Sequence, residues 1–135
     1  MVIELAHNSP DPRTQVGAVL LDLNDEFVGQ GYNHPLKGCT DYTSLGLPKN
    51  FVMCHAERTA IRDTIGKYGV QGTVGSSMIT NSVPCRDCAD ACITYGIRRI
   101  YILRSYDKLV PIDKINYFKN CEKLLTSAGV NIYRV

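Results

Sequence analysis

From residue 53 onward, short apolar runs alternate with longer stretches whose apolar residues recur at helical spacing, and that alternation leaves few architectures open. Apolar residues at 56, 60, 61, 65 and 68 give His55–Tyr68 one apolar face, with Gly69 as the stop. The same reading predicts a strand over Val74–Ser82, a helix over Cys85–Tyr95 ended by Gly96, and a strand over Arg99–Leu103. A helix over Asp113–Ala128 ended by Gly129 and a last strand over Val130–Val135 complete the series. Helices inserted between consecutive strands imply parallel neighbours joined by right-handed crossovers. Upstream, Met1–His7 reads as a short helix closed by Asn8-Ser9-Pro10-Asp11-Pro12. Val16–Leu21 is an apolar run suited to a strand covered on both faces, and Asn24-Asp25 turns it back into Glu26–Tyr32. The expected fold is therefore α/β, a mixed five-stranded sheet with an N-terminal antiparallel hairpin, parallel later strands and helices on both faces. Asn33–Val52 carries no clear period and reads as a long functional loop. No repeat or linker interrupts residues 1–135, so a single domain is expected.

Composition narrows the function. With 44% apolar and 21% charged residues the chain has the means to build a core, which excludes disorder as a description of the whole. No apolar run approaches the roughly 18 residues that span a bilayer, and no basic stretch followed by an apolar one opens the chain. The expectation is a cytoplasmic protein without membrane contact. A net charge of +2 is too mild for the basic stripe of a nucleic-acid binder, whereas an anionic small molecule suits it. Six cysteines, at 39, 54, 85, 88, 92 and 121, are too sparse for a disulfide scaffold, so metal binding or catalysis is the better question.

Two helix starts carry the chemistry. His55-Ala56-Glu57 opens one predicted helix, and Pro84-Cys85-Arg86-Asp87-Cys88 opens another about thirty residues later. Cysteines three apart share a helical face, and a helix N-terminus favours the thiolates that a metal requires. His55 and the two thiolates as zinc ligands would leave one tetrahedral position for water, with Glu57 handling protons. This ordered pair of motifs is the signature of zinc deaminases. Other readings of the same residues stand beside it: a redox pair at Cys85 and Cys88, a closed structural zinc site completed by Cys54 or Cys39, and a first-turn carboxylate at Glu57 serving the helix dipole. Cys92 and Cys121 read as small core hydrophobes, and His7 and His34 as surface residues.

Beyond these motifs, nearly the whole chain resembles the deoxycytidylate (dCMP) deaminase family of the cytidine deaminase-like superfamily. The resemblance rests on Ser9-Pro10-Asp11-Pro12-Arg13-Thr14-Gln15-Val16-Gly17-Ala18, Gly31-Tyr32-Asn33, Gly38-Cys39-Thr40-Asp41, Cys54-His55-Ala56-Glu57, Pro84-Cys85-Arg86-Asp87-Cys88-Ala89, Gly96-Ile97, Tyr106 and Ala128-Gly129-Val130. It implies a three-layer α/β/α cytidine deaminase-like fold and hydrolysis of dCMP to dUMP and ammonia, supplying thymidylate synthesis. It also implies Zn2+ on His55, Cys85 and Cys88, proton transfer by Glu57, and substrate contacts from Asn33 to the sugar, the Ala56 N–H to the pyrimidine carbonyl, and Tyr106 in the nucleotide pocket. Family members are commonly homohexamers, activated by dCTP and inhibited by dTTP, with Mg2+ accompanying the triphosphate, through the segment around Gly31-Tyr32-Asn33. The chain departs from the family at His34-Pro35, where glycine is usual, and at Thr59, where asparagine is usual. Deamination of another nucleoside, nucleotide or tRNA base, and a non-catalytic zinc or regulatory protein of this fold, are the alternatives.

Overall fold

The structure, a computed structural model, describes residues 1–105 and 110–135. Strands β1 (Gly17–Leu21), β2 (Phe27–Tyr32), β5 (Ser77–Thr80), β6 (Arg99–Ile102) and β7 (Asn131–Arg134) form one sheet in the order β2-β1-β5-β6-β7. The β1–β2 pair is antiparallel, and Asp22 shapes its turn by accepting the N–H groups of Asn24 and Glu26 at 2.8 and 2.9 Å. Strand β1 also pairs antiparallel with β5, whereas β5–β6 and β6–β7 are parallel. The expected mixture of directions is borne out. The apolar run Gly17–Leu21 lies second in the sheet, which explains why Ala18, Val19 and Leu20 are all buried although their side chains alternate faces.

Helices α3 (Ala56–Tyr68), α4 (Arg86–Thr94) and α5 (Ile115–Ser127) cover one face. Ala56, Ala60 and Ile61 of α3, Ala89 and Cys92 of α4, and Cys121 and Leu125 of α5 pack there on Ala18, Leu20, Met78, Ile100 and Ile102. The other face is covered by α1 (Val2–Ala6), whose Val2 and Leu5 sit on Val19. Helices thus lie on both faces as expected, but among the described residues the second layer is one helix of five residues. Cys92 and Cys121 are buried core residues, as read from the sequence.

Segment 33–52 is more ordered than its lack of period suggested. His34–Pro35 (β3) pairs antiparallel with Met53–Cys54 (β4), and a short helix α2 spans Lys49–Val52. The Lys49 ammonium meets the buried Asp11 carboxylate at 2.7 Å and pins this segment to the loop before β1. His34 is half-buried, its Nδ1 2.8 Å from the Pro35 carbonyl oxygen and its ring edge-on to Tyr32, so it is less of a surface residue than expected.

Two glycines of β2 set how closely α3 approaches the sheet. A Cβ on Gly31 would lie 2.6 Å from the Ala60 nitrogen and 2.7 Å from the Ala56 oxygen, and one on Gly29 would lie 2.1 Å from Thr64 Oγ1. Only hydrogen fits at these positions. The outer edge of β2 is capped by Asp63 of α3, whose Oδ2 accepts the Gln30 N–H at 2.9 Å.

Candidate active site

Two helix starts meet at one edge of the sheet. His55 and Cys85 are the residues just before α3 and α4, each with extended backbone at φ −81°, ψ 149° and φ −67°, ψ 176°. Cys88 lies one turn into α4 and is fully buried. The Thr59 hydroxyl donates to the His55 carbonyl at 2.8 Å, and the Arg86 N–H donates to Tyr117 Oη of α5 at 3.0 Å, so both starts are tied down.

His55 Nδ1 stands 3.3 Å from Cys85 Sγ and 3.4 Å from Cys88 Sγ. Zinc bonds of about 2.0–2.1 Å to nitrogen and about 2.3 Å to sulfur, set tetrahedrally, separate such donors by about 3.6 Å. One imidazole and two sulfurs at this spacing therefore fit zinc, and the soft donors favour it over magnesium or calcium. Among the described residues, His55, Cys85 and Cys88 are the sole cluster of this kind. Among the described residues, neither Cys54 nor Cys39 joins it.

The electrostatics suit a cation. The hydrogen bond from Cys88 and the neighbouring His55 ring bring the Cys85 thiol down to about 3 against the effect of burial. Cys88 is pushed up, because its proton is shared toward Cys85 and because it is buried beside Glu57. His55 is raised, chiefly by its hydrogen bond to Cys85. Glu57 is 4% exposed, and its burial pushes it up to about 7. Its Oε2 accepts from Cys88 Sγ at 3.6 Å, yet the carboxyl is not part of the donor cluster.

Residues 1–104 match the family described as the cytidine and deoxycytidylate deaminase zinc-binding region. The chain belongs to that deaminase family. Among relatives of the family, human deoxycytidylate deaminase is 32% identical over 73% of this chain and 57% of its own length. A Drosophila melanogaster protein named "Probable deoxycytidylate deaminase" is 31% identical over 96% of this chain and 66% of its own. The chain thus spans less than two thirds of these relatives. A solved structure of dCMP deaminase from the cyanophage S-TIM5, in complex with dCMP and dUMP, superposes with TM-score 0.72 over 99% of this chain and 90% of that one. At 22% identity it shows the deaminase fold. The zinc-binding character of the family agrees with the donor set found here.

Other residues singled out from the sequence lie as follows. Asn33 is buried and engaged at both ends of its amide, Oδ1 accepting the Val16 N–H at 2.9 Å and Nδ2 donating to the Thr14 carbonyl at 2.7 Å. It holds the loop before β1 against the start of β3. Ala56 is buried in the first turn of α3, where backbone N–H groups lack an intrahelical acceptor. Tyr106 lies outside the described residues. The sequence reading passed over Asn81, which accepts the Gly17 N–H at 2.9 Å and donates to the Gln15 carbonyl at 3.1 Å, and Tyr117. Nothing local marks either one, because each partner is distant in sequence.

No helix among the described residues is long and apolar enough to cross a membrane.

Proposed function

We propose that this chain hydrolyses dCMP to dUMP and ammonia, with His55, Cys85 and Cys88 holding one zinc ion and Glu57 moving protons. The observation that carries the reading is a buried carboxyl 3.6 Å from one sulfur of a His-Cys-Cys donor set and outside that set. When bound, zinc supplies the Lewis acidity that makes water nucleophilic near neutral pH. Glu57 accepts one proton from the attacking water and passes it to the pyrimidine ring nitrogen, then accepts the second, from the hydroxyl added to the ring carbon, and delivers it to the departing amine as the carbonyl forms. A base that takes and returns protons in this way belongs next to the metal but off it. In this reading the Ala56 N–H donates to the pyrimidine carbonyl, Asn33 contacts the sugar through its remaining amide hydrogen, and Tyr106 lines the nucleotide pocket. Similarity to proteins named deoxycytidylate deaminase over most of the chain supports dCMP as the substrate.

The test is turnover by zinc-replete protein offered dCMP, deoxycytidine, dCTP and a tRNA anticodon stem in parallel, with products resolved by chromatography. Formation of dUMP from dCMP is expected. Preference for another substrate transfers the mechanism to that base, and no turnover with any of them supports the non-catalytic alternative.

From the same resemblance we infer a cytoplasmic homohexamer activated by dCTP and inhibited by dTTP, with Mg2+ on the triphosphate. A recess of about 360 Å³ bordered by Gly31, Tyr32, His34, Thr59, Asp63 and Lys67 supports an effector site at this segment, although Lys67 is already paired with Asp63 at 3.1 Å. Sedimentation with and without each triphosphate tests both inferences.

A further inference from the structure

Strand β1 begins at Gly17, with Tyr32 of β2 opposite Gly17 and Thr80 of β5 opposite Ala18. The next residue of each neighbouring strand is an asparagine, Asn33 after β2 and Asn81 after β5. Both turn their side chains onto the backbone that leads into β1. Asn33 Oδ1 accepts the Val16 N–H at 2.9 Å, its Nδ2 donates to the Thr14 carbonyl at 2.7 Å, and its backbone N–H donates to the Val16 carbonyl at 3.2 Å. Asn81 grips from the other side, Oδ1 accepting the Gly17 N–H at 2.9 Å and Nδ2 donating to the Gln15 carbonyl at 3.1 Å. A carboxamide carries an acceptor and a donor together, so each asparagine supplies a rung that its strand no longer provides. Segment 14–17 is thereby held along both edges. Its two bonds to that segment fix the plane of the Asn33 amide, and with it the direction of the one amide hydrogen left over. On the β5 side, Asn81 stands four positions before Cys85.

We propose that Asn81 is a positioning residue for the sugar subsite: by holding Gln15 and Gly17 from the β5 side, it fixes the segment that aims Asn33 and ties that segment to the loop carrying Cys85. The inference rests on the reading of Asn33 as the sugar contact. Asn81 acts through Asn33 rather than on the substrate. Without it, segment 14–17 is held by side-chain amide from the β2 edge alone, and the Asn33 amide swings with its support.

The test compares wild type, N81A, N81D, N33A and the double variant N33A/N81A, each checked for one zinc per chain and unchanged far-ultraviolet circular dichroism. N81D keeps the acceptor for the Gly17 N–H and loses the donor to Gln15, so it serves where N81A does not fold. A contact made equally in ground and transition states raises KM when lost and spares kcat. KM for dCMP is expected to rise about 5- to 10-fold in N33A and in N81A and less in N81D, with the double variant no worse than N33A. Independently of turnover, the Val16 amide hydrogen, followed by NMR, should exchange about 10-fold faster in N81A and N81D than in wild type. Unchanged protection at Val16 in the Asn81 variants, or KM increases that multiply in the double variant, overturns the proposal. An N33A enzyme with wild-type KM instead overturns the sugar contact of Asn33, so the two failures are distinct.

Discussion

Replacing Gly31 by alanine tests whether the β2–α3 contact sets the geometry of the site. The added Cβ would lie 2.6 Å from the Ala60 nitrogen, 2.7 Å from the Ala56 oxygen and 2.7 Å from Thr59 Cβ. Two of these are backbone atoms in the first turns of α3, so no side-chain rotation relieves the overlap. Ordinary carbon contacts begin near 3.4 Å. The start of α3 must therefore retreat by several tenths of an ångström, taking His55 and Glu57 with it while Cys85 and Cys88 stay on α4. Overpacking of this kind costs about 1–3 kcal/mol, which at about 4 °C per kcal/mol lowers Tm by about 4–12 °C. Misplacement approaching 1 Å costs up to about 100-fold in rate. The comparison variant is Gly66→Ala, further along the same helix, where a Cβ meets nothing within 4 Å. Removing that glycine should stabilise the chain by about 0.5–1 kcal/mol and leave turnover alone. Calorimetry and dCMP turnover on both variants decide the matter. Wild-type Tm and rate in Gly31→Ala would show that α3 is not seated by this contact.

Glu57→Gln should keep one zinc per chain by elemental analysis and lose about 100- to 10,000-fold in kcat, because the amide cannot carry the proton. Cys85→Ala should bind no zinc, and its Tm should no longer respond to a chelator that lowers the wild-type value. Asp11→Asn probes the link between Lys49 and the loop before β1. Burial pushes the Asp11 carboxyl up, but the Lys49 ammonium and the N–H groups of Arg13 and Thr14 outweigh it and hold it below its usual 3.8. A folded-state value below the unfolded one contributes stability that is present above pH 4 and lost as pH falls through the folded value. The variant should therefore be less stable than wild type by about 1.5–3 kcal/mol at pH 7, with the gap closing below pH 4 in denaturant titrations. A gap that is the same at pH 7 and pH 3 refutes the ionic account of this contact.

What the sequence disclosed depended on how local each signal was. The starts of α3 and α4 were legible within a residue, because His55 and Cys85 stand just before runs of helical spacing, and Gly96 ends its segment with φ +82°. The apolar run at Gly17–Leu21 announced an interior strand. Its second partner was hidden, because the β1–β5 pairing joins residues about sixty apart and leaves no periodic trace in either. The expected strand Val74–Ser82 shrank to Ser77–Thr80, since Gly75, at φ +77°, starts a bend rather than a ladder. A ladder of two residues, His34–Pro35 on Met53–Cys54, is too short to show a period at all. At the site, the donors were readable from spacing. Tyr117, which ties down the start of α4, was not, because its partner Arg86 stands 31 positions away.

The donors stand at the starts of the helices that precede and follow β5 in the chain, with His55 and Cys85 30 positions apart. An unfolded chain has no preformed set of these three donors, so gathering the imidazole with the two sulfurs comes with the tertiary fold. Metal binding at this donor set is thereby coupled to folding, and the ion would tie α3 to α4.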